Sequence, residues 1–539
     1  MNANWWKEAV VYQIYPRSFN DTTGSGTGDL NGVTKRLDYL KDLGVDVVWL
    51  TPVYKSPQHD NGYDIANYYE IDPLYGTMQD FDKLLNETHA RGMKLIMDLV
   101  VNHTSTEHEW FQEAQKSKDN PYRDYYIWRD EPNNWESKFG GSAWEWHEAT
   151  GQYYLHLFDK TQADLNWDNP KLREEIYRMI EFWGKKGIDG FRLDVVNLLS
   201  KGETFEDDHV GDGRRFYTDG PRIHEYIHEM STRAFLPYGM MTVGEMSSTT
   251  LEQGVLYTRP DRQELDMIFH FHHLKVDYPS GEKWTEAPIN FEQLKEIFTK
   301  WQEGMDSGGG WNAVFWSNHD QPRAGSRFGD GSPEAAKMLA TTIHLLNGTP
   351  YIYQGEELGM TSPAFKTIEE YRDVETLNAY DLLREQGVPE KEVLSILASK
   401  SRDNGRTPMQ WSGEKPHAGF TNGTPWIGLA DNWETINAEN AINDPSSVYY
   451  HFKQLIQLRK KHPIIQSGSV RFLDHLHHAL FAYERVLDDK RLVVVNNFSS
   501  EAVEVPLQIH EVLISHLPIQ SVDDQKFVLP GYGAIAFFA

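Results

Sequence analysis

The sequence predicts an α/β fold: a (β/α)8 TIM barrel with an excursion domain after its third strand and a C-terminal antiparallel β-sandwich domain. Three observations carry this expectation. Eight short, near-continuous apolar runs recur along most of the chain, as parallel strands buried on both faces require. Between them lie stretches with apolar residues at a spacing of roughly 3.6, the mark of helices with one buried face. Beyond about residue 465 the pattern changes to alternating runs divided by polar turns, which reads as antiparallel sheet.

The expected strands are 10–15, 45–51, 94–102, 187–194, 240–245, 265–271, 311–318 and 349–354. Helical periodicity is plain in 30–43, 78–91, 171–186 and 335–346. Two intervals are too long for simple loops. Residues 104–167, rich in Trp and Gly, read as the excursion domain, and 367–400 as a charged helical insertion after the eighth strand. The barrel then comprises 1–103 and 168–464, and 465–539 forms the C-terminal β domain. Both insertions sit above the carboxyl ends of the strands, where barrel enzymes keep their sites.

Composition narrows the function. A formal net charge of −28 disfavours nucleic acid and anionic membranes as partners, because the mean field repels polyanions. It leaves a small anionic substrate open, since screening over about 10 Å hands control to local groups. The absence of cysteine excludes disulfides and thiolate metal sites. The opening Met-Asn-Ala-Asn-Trp-Trp-Lys lacks a basic region followed by an apolar run, and no stretch approaches the roughly 18 apolar residues of a membrane span. The expectation is a cytoplasmic protein, its oligomeric state open and a monomer sufficient.

Four strand ends carry chemistry. They read Asp98-Leu-Val-Val-Asn102-His103, Gly190-Phe-Arg192-Leu-Asp194, Val243-Gly-Glu245-Met and Phe315-Trp-Ser-Asn318-His319-Asp320. A carboxylate ending a buried strand is costly unless it faces a polar cleft. Any one of these is equally well a solvated strand end, but three at matched positions point to acid/base chemistry at one barrel mouth. Two carboxyls about 5 Å apart permit double displacement with retention at a sugar's anomeric carbon. Asp194 is then the nucleophile, with Arg192 on the same side of its strand beside it. Glu245 is the acid/base, its pKa raised by its surroundings. Asp320 grips sugar hydroxyls more tightly as the ring flattens.

These segments resemble the signature regions of glycoside hydrolase family 13, the α-amylase family. Gln162-Ala-Asp-Leu-Asn166 resembles a fifth, of the type found in its oligo-1,6-glucosidase group. The resemblance covers essentially the whole chain. It implies a glucose pocket lined by Asp60, Tyr63, His103, Gln162, Arg192 and His319. It further implies a clamp between Asp60 and Arg406 that closes the pocket and restricts cleavage to a terminal glucose. Val195, after the nucleophile, resembles members that prefer α-1,6 or other non-1,4 bonds over maltose.

The segment from Phe269 to Trp284 carries His272, Lys275 and Lys283 after the sixth strand, and Arg214 and Arg215 follow the fourth. Oligo-1,6-glucosidases resemble the first segment but bear acidic residues where His272 and Lys275 stand, and share Lys283. Paired hydrogen bonds from Arg and a compact charge from Lys suit a phosphate. On charge alone a solvated patch paired with Asp207 and Asp208 explains these residues equally well. The strings themselves resemble family members that cut trehalose 6-phosphate into glucose and glucose 6-phosphate, which implies a phosphorylated disaccharide as substrate. An isomaltose-type oligosaccharide is the alternative. A non-catalytic barrel of the family would lack the acids present here.

Many relatives bind calcium in an early loop of the form Asp-x-Asn-x-Asp-Gly-x-Gly-Asp. Here the loop has Asp21, Thr23, Ser25 and Asp29, so a carboxylate and an amide have become hydroxyls. No tightly bound calcium is expected, and no metal or organic cofactor is needed for the hydrolysis.

Overall fold

The structure, a computed structural model, describes residues 4–539. Residues 1–3, part of the opening on which the expectation of no secretory signal rests, lie outside them. Eight parallel strands form one sheet: β1 (Val11–Ile14), β2 (Val47–Leu50), β3 (Lys94–Leu99), β4 (Gly190–Leu193), β5 (Met241–Met246), β6 (Met267–His270), β7 (Ala313–Val314) and β8 (Thr349–Tyr353). Neighbours in sequence are neighbours in space, and β8 returns to β1 with Tyr351 opposite Val11. Between β6 and β7 a single parallel bridge, Ile268 to Asn312, closes the ring. The strands are almost wholly buried, as their continuous apolar runs require.

The first six apolar runs of the sheet and the eighth match their expected positions closely; the seventh is shorter. Only Ala313–Val314 pairs within 311–318. Beyond it, Phe315 and Trp316 are buried and Asp320 donates its backbone N–H to Asn318 Oδ1 at 2.8 Å. That local side-chain turn draws the backbone out of the ladder and lifts His319 and Asp320 to the barrel mouth. The helix expected over 30–43 is broken at Arg36 into Leu30–Lys35 and Leu37–Leu43. The guanidinium of Arg36 stacks 4.0 Å from the ring centre of Trp411. Met78–Ala90 begins with a capping box between Thr77 and Asp80, and Pro170–Lys186 ends at Gly187 in the left-handed region.

In the excursion, Trp128–Arg129, Gln152–Leu155 and Trp144–His147 form a three-stranded antiparallel sheet. Its tip is bridged between Glu136 and Ser142 and turns through Gly140 and Gly141, both at positive φ. The later insertion supplies the helices Val374–Glu385 and Glu390–Lys400. The two insertions meet where Asn378 donates to the carbonyl of Phe139 at 3.3 Å. At the C-terminus a five-stranded and a three-stranded antiparallel sheet enclose a separate core that includes Val493, Val495, Val505, Phe527 and Phe537. No helix among the described residues is long and apolar enough to cross a membrane.

Candidate active site

Arg192 organises the site. It lies on β4, buried to 1 % exposure, and donates through Nη1 to Asp98 Oδ1 at 2.5 Å and Asp194 Oδ1 at 2.7 Å. Its other terminal nitrogen donates to Glu245 Oε2 at the end of β5. One guanidinium therefore bridges Asp194 and Glu245. Two carboxyls held on one fork are close neighbours, the arrangement that the retaining mechanism needs at about 5 Å, where inverting enzymes leave roughly 6.5–9.5 Å for a water. Asp98 also accepts from Trp49 Nε1 at 2.9 Å and Tyr63 Oη at 3.2 Å. Burial pushes its pKa up to about 7 against the pull of Arg192.

Burial raises the Glu245 carboxyl well above its ordinary range, with Arg192 opposing and the charges of Asp194 and Asp320 adding to it. That is the condition of a resting general acid. Immediately after Asp194, Val195 adopts φ 36°, a left-handed conformation costing a β-branched residue about 1–3 kcal/mol. This turn ends the strand at Asp194 and starts the short helix Val196–Leu198.

The remaining pocket residues surround this centre. Tyr63 stacks on His319 with ring centres 5.1 Å apart and planes at 7°. His103 Nε2 lies 3.0 Å from the carbonyl of Tyr63, and Gln162 donates to Asp60 Oδ2 at 3.0 Å. Gln13 meets His319 Nδ1 at 2.7 Å, and His319 Nε2 lies 3.2 Å from Asp320 Oδ2. Burial lowers the pKa of His319 to about 3, so the ring is neutral. Asp320 moves the opposite way. Burial would raise it, but His319, Arg402, Arg406 and Arg192 together hold its carboxyl below the ordinary range.

The clamp differs from the expected one. Asp60 pairs with Arg402, Oδ1 to Nη2 at 3.0 Å, and not with Arg406. Arg406 instead donates to Asp320 Oδ1 at 2.8 Å and to the carbonyl of His319 at 2.8 Å. The two arginines face the pocket from the turn Arg402–Gly405 and its C-cap, and Arg402 reaches Asp320 Oδ1 as well, at 3.3 Å. Both share Asp373 Oδ1, at 2.5 Å from Arg402 and 3.2 Å from Arg406. Arg402 and Asp373 are thus site residues that sequence reasoning passed over. Both arginines lie in the string Arg402-Asp-Asn-Gly-Arg406, which is the available signal, but spacing alone does not say which one reaches Asp60.

The five expected basic residues also divide. Lys283 is paired with Glu375 at 2.7 Å and Arg215 with Asp208 at 3.0 Å, which ties up both charges. Arg214 is chelated by Asp212. His272 binds the carbonyl of Thr249 at 2.8 Å, and burial lowers its pKa, so it brings no charge. Lys275 touches Ser248 Oγ at 3.2 Å and forms no ion pair among the described residues. Lys138 of the excursion, which sequence reasoning missed, reaches the same loop at Ser247 Oγ, 3.1 Å away.

A family model described as the α-amylase catalytic domain matches residues 13–468, and one for the α-amylase SusG C-terminal domain matches 480–535. The chain is 60% identical to a trehalose-6-phosphate hydrolase of Bacillus subtilis, over 92% of this chain and 90% of that one. It is 52% identical to an oligo-1,6-glucosidase of Parageobacillus thermoglucosidasius, over 98% and 97%. The crystal structure of Bacillus licheniformis trehalose-6-phosphate hydrolase superposes with a TM-score of 0.95 at 57% identity, covering 99% of each chain. With the barrel, the bridged acids and the flanking domains in place, the chain belongs to the α-amylase family of glycoside hydrolases.

Proposed function

We propose that the protein is a retaining, exo-acting α-glucosidase that hydrolyses trehalose 6-phosphate to glucose and glucose 6-phosphate. The observation that carries the chemistry is the single guanidinium of Arg192 bridging Asp194 and Glu245. Asp194 attacks the anomeric carbon of the terminal glucose while Glu245, protonated in its buried setting, gives its proton to the departing oxygen. A covalent glucosyl–Asp194 ester forms. Glu245, now a carboxylate, takes a proton from water, which attacks the same carbon and releases glucose with its α configuration restored. Asp320, kept anionic by the arginines above it, binds hydroxyls whose interaction strengthens as the ring flattens.

The Asp60–Arg402 pair, backed by Asp373, walls off the glucose side, which favours cleavage of one terminal residue. The substrate assignment draws on the similarity to trehalose-6-phosphate hydrolases and on Lys275 at the leaving-group side, which forms no ion pair among the described residues. The isomaltose reading has less behind it, since the oligo-1,6-glucosidase relatives are 48–53% identical. Comparing kcat/KM for trehalose 6-phosphate, trehalose and isomaltose on one preparation decides between them. Preference for the phosphorylated sugar is expected; equal or better turnover of isomaltose overturns the assignment.

The early loop supports a calcium-free enzyme. Asp21 Oδ1 accepts from the backbone of Thr23 at 2.8 Å and Gly24 at 3.0 Å, while Oδ2 accepts from Gly26 at 2.8 Å and Thr421 Oγ1 at 2.5 Å. Asp29 accepts from Thr22 and from the backbone of Gly32. Hydrogen-bond donors surround both carboxylates, and a cation would have to displace them.

A further inference from the structure

We propose that Lys138, carried by the excursion hairpin, completes a three-cation cradle with Lys275 and Arg214 that reads the phosphate on the leaving half of the substrate. This rests on the substrate reading above and names a residue for it that lies far in sequence from the other basic groups. Lys138 Nζ and Lys275 Nζ are held by neighbouring hydroxyls, Ser247 at 3.1 Å and Ser248 at 3.2 Å. These serines follow Glu245 and Met246 directly, so both cations stand where the strand carrying the acid/base leaves the barrel. Ser248 sits at φ 62°, in a left-handed turn just past the strand end, and its hydroxyl meets Lys275.

Arg214 approaches from the loop after β4, and its charge bears on both lysines. Burial lowers the pKa of Lys138 to about 8, and repulsion from Arg214 and Lys275 adds to it, with Asp212 and Glu245 opposing. Among the described residues no carboxylate lies within ion-pair distance of Lys138 or Lys275, although acidic residues outnumber basic ones by 80 to 52. Asp212 is ion-paired with Arg214 and bears on Lys138 only through space. A cluster of cations left short of counter-charge beside an active site is a place for an anionic ligand, and a compact ammonium on a flexible stem suits a phosphate oxygen. In a chain of net charge −28, such a patch also offsets the repulsion of a dianionic substrate at short range.

The hairpin explains why this lysine comes from the excursion. The next residue, Phe139, packs 4.9 Å from the guanidinium of Arg402, on the glucose side of the pocket. Lys138 and Phe139 are the two central residues of the turn in which Gly140 donates its backbone N–H to the carbonyl of Ser137 at 3.0 Å. One hairpin turn therefore addresses both halves of the disaccharide, with Phe139 beside Arg402 of the clamp and Lys138 beside Ser247 past the acid/base strand.

The test is a ratio. In Lys138→Ala, kcat/KM for trehalose 6-phosphate divided by kcat/KM for p-nitrophenyl α-glucoside should fall by about tenfold or more, as loss of a close charge pair commonly produces. Inhibition by glucose 6-phosphate should weaken in parallel, while that by glucose should not follow it. Lys138→Met gives the same comparison if the alanine variant does not fold, and Lys138→Arg should restore most of the ratio. Ser247→Ala removes the tether and keeps the charge, so its ratio should fall less than that of Lys138→Ala. An unchanged ratio in Lys138→Ala or Lys138→Met, with both substrates declining together, makes Lys138 a structural latch and overturns the proposal. Wild-type enzyme with no preference for trehalose 6-phosphate over trehalose is a different failure, that of the substrate reading itself.

Discussion

The clamp makes the sharpest energetic prediction, because sequence and structure assign it to different arginines. Asp60 is 4 % exposed and Arg402 7 % exposed, and their contact is 3.0 Å. Removing one member of a buried pair typically costs about 3–5 kcal/mol, much of it from the charge left behind. Asp60 already has its pKa pushed up to about 7 by burial, with Arg402 the largest opposing influence and Arg406 a smaller one. In a double-mutant cycle, Asp60→Asn and Arg402→Ala should therefore be non-additive by about 2 kcal/mol, within the usual range for contacting charges. Asp60→Asn with Arg406→Ala should couple by less than half of that, through space only. Urea denaturation of the four proteins in each cycle gives the stabilities, and turnover of p-nitrophenyl α-glucoside gives the corresponding transition-state energies. Coupling of Asp60 to Arg406 equal to or greater than its coupling to Arg402 would refute the reassigned clamp.

Other outcomes follow from the same geometry. Glu245→Gln should cut turnover of trehalose 6-phosphate by about 10²–10⁴-fold and remove the alkaline limb of the kcat/KM profile. In the unaltered enzyme that limb should lie above the ordinary carboxyl range, since burial raises the Glu245 pKa and the active form is the protonated one. An alkaline limb unchanged in Glu245→Gln would exclude Glu245 as the acid. Lys275→Ala should lose about 1.5 kcal/mol of transition-state stabilisation for the phosphorylated substrate beyond any loss on an aryl glucoside, the lower end for a charged hydrogen bond. Equal losses on the two substrates would remove Lys275 from the phosphate site. Chelation with EDTA should leave Tm and activity as they were; a fall in Tm restored by calcium would show that the Asp21 loop binds the ion.

Much of this molecule was legible before any coordinates. A barrel strand buried on both faces writes a nearly continuous apolar run, and seven of the eight runs could be placed to within a few residues for that reason. The seventh was over-read because Phe315 and Trp316 are apolar through burial and not through pairing, and composition does not distinguish the two. Asp194, Glu245 and Asp320 were visible because polar residues closing apolar runs are costly anywhere but a cleft. Contacts between distant segments were harder to read. Arg402 and Arg406 lie in one motif, and only the turn Arg402–Gly405 decides which side chain faces Asp60. Lys138 gave no local signal at all, since its position beside Ser247 depends on how the excursion hairpin folds over the barrel. The basic residues that did stand out in sequence included Lys283, whose partner Glu375 no local pattern reveals, and Arg215, whose pairing with Asp208 is the one the charge pattern allowed as the alternative to a phosphate site.

The central claim is that Asp194 and Glu245 act on one anomeric carbon by double displacement. Proton NMR of the glucose released in the first moments of trehalose 6-phosphate hydrolysis, before mutarotation, tests it directly. The α-anomer signal should rise first, with the β-anomer appearing only at the rate of mutarotation. Initial release of β-glucose would mean single displacement by water and would contradict the account.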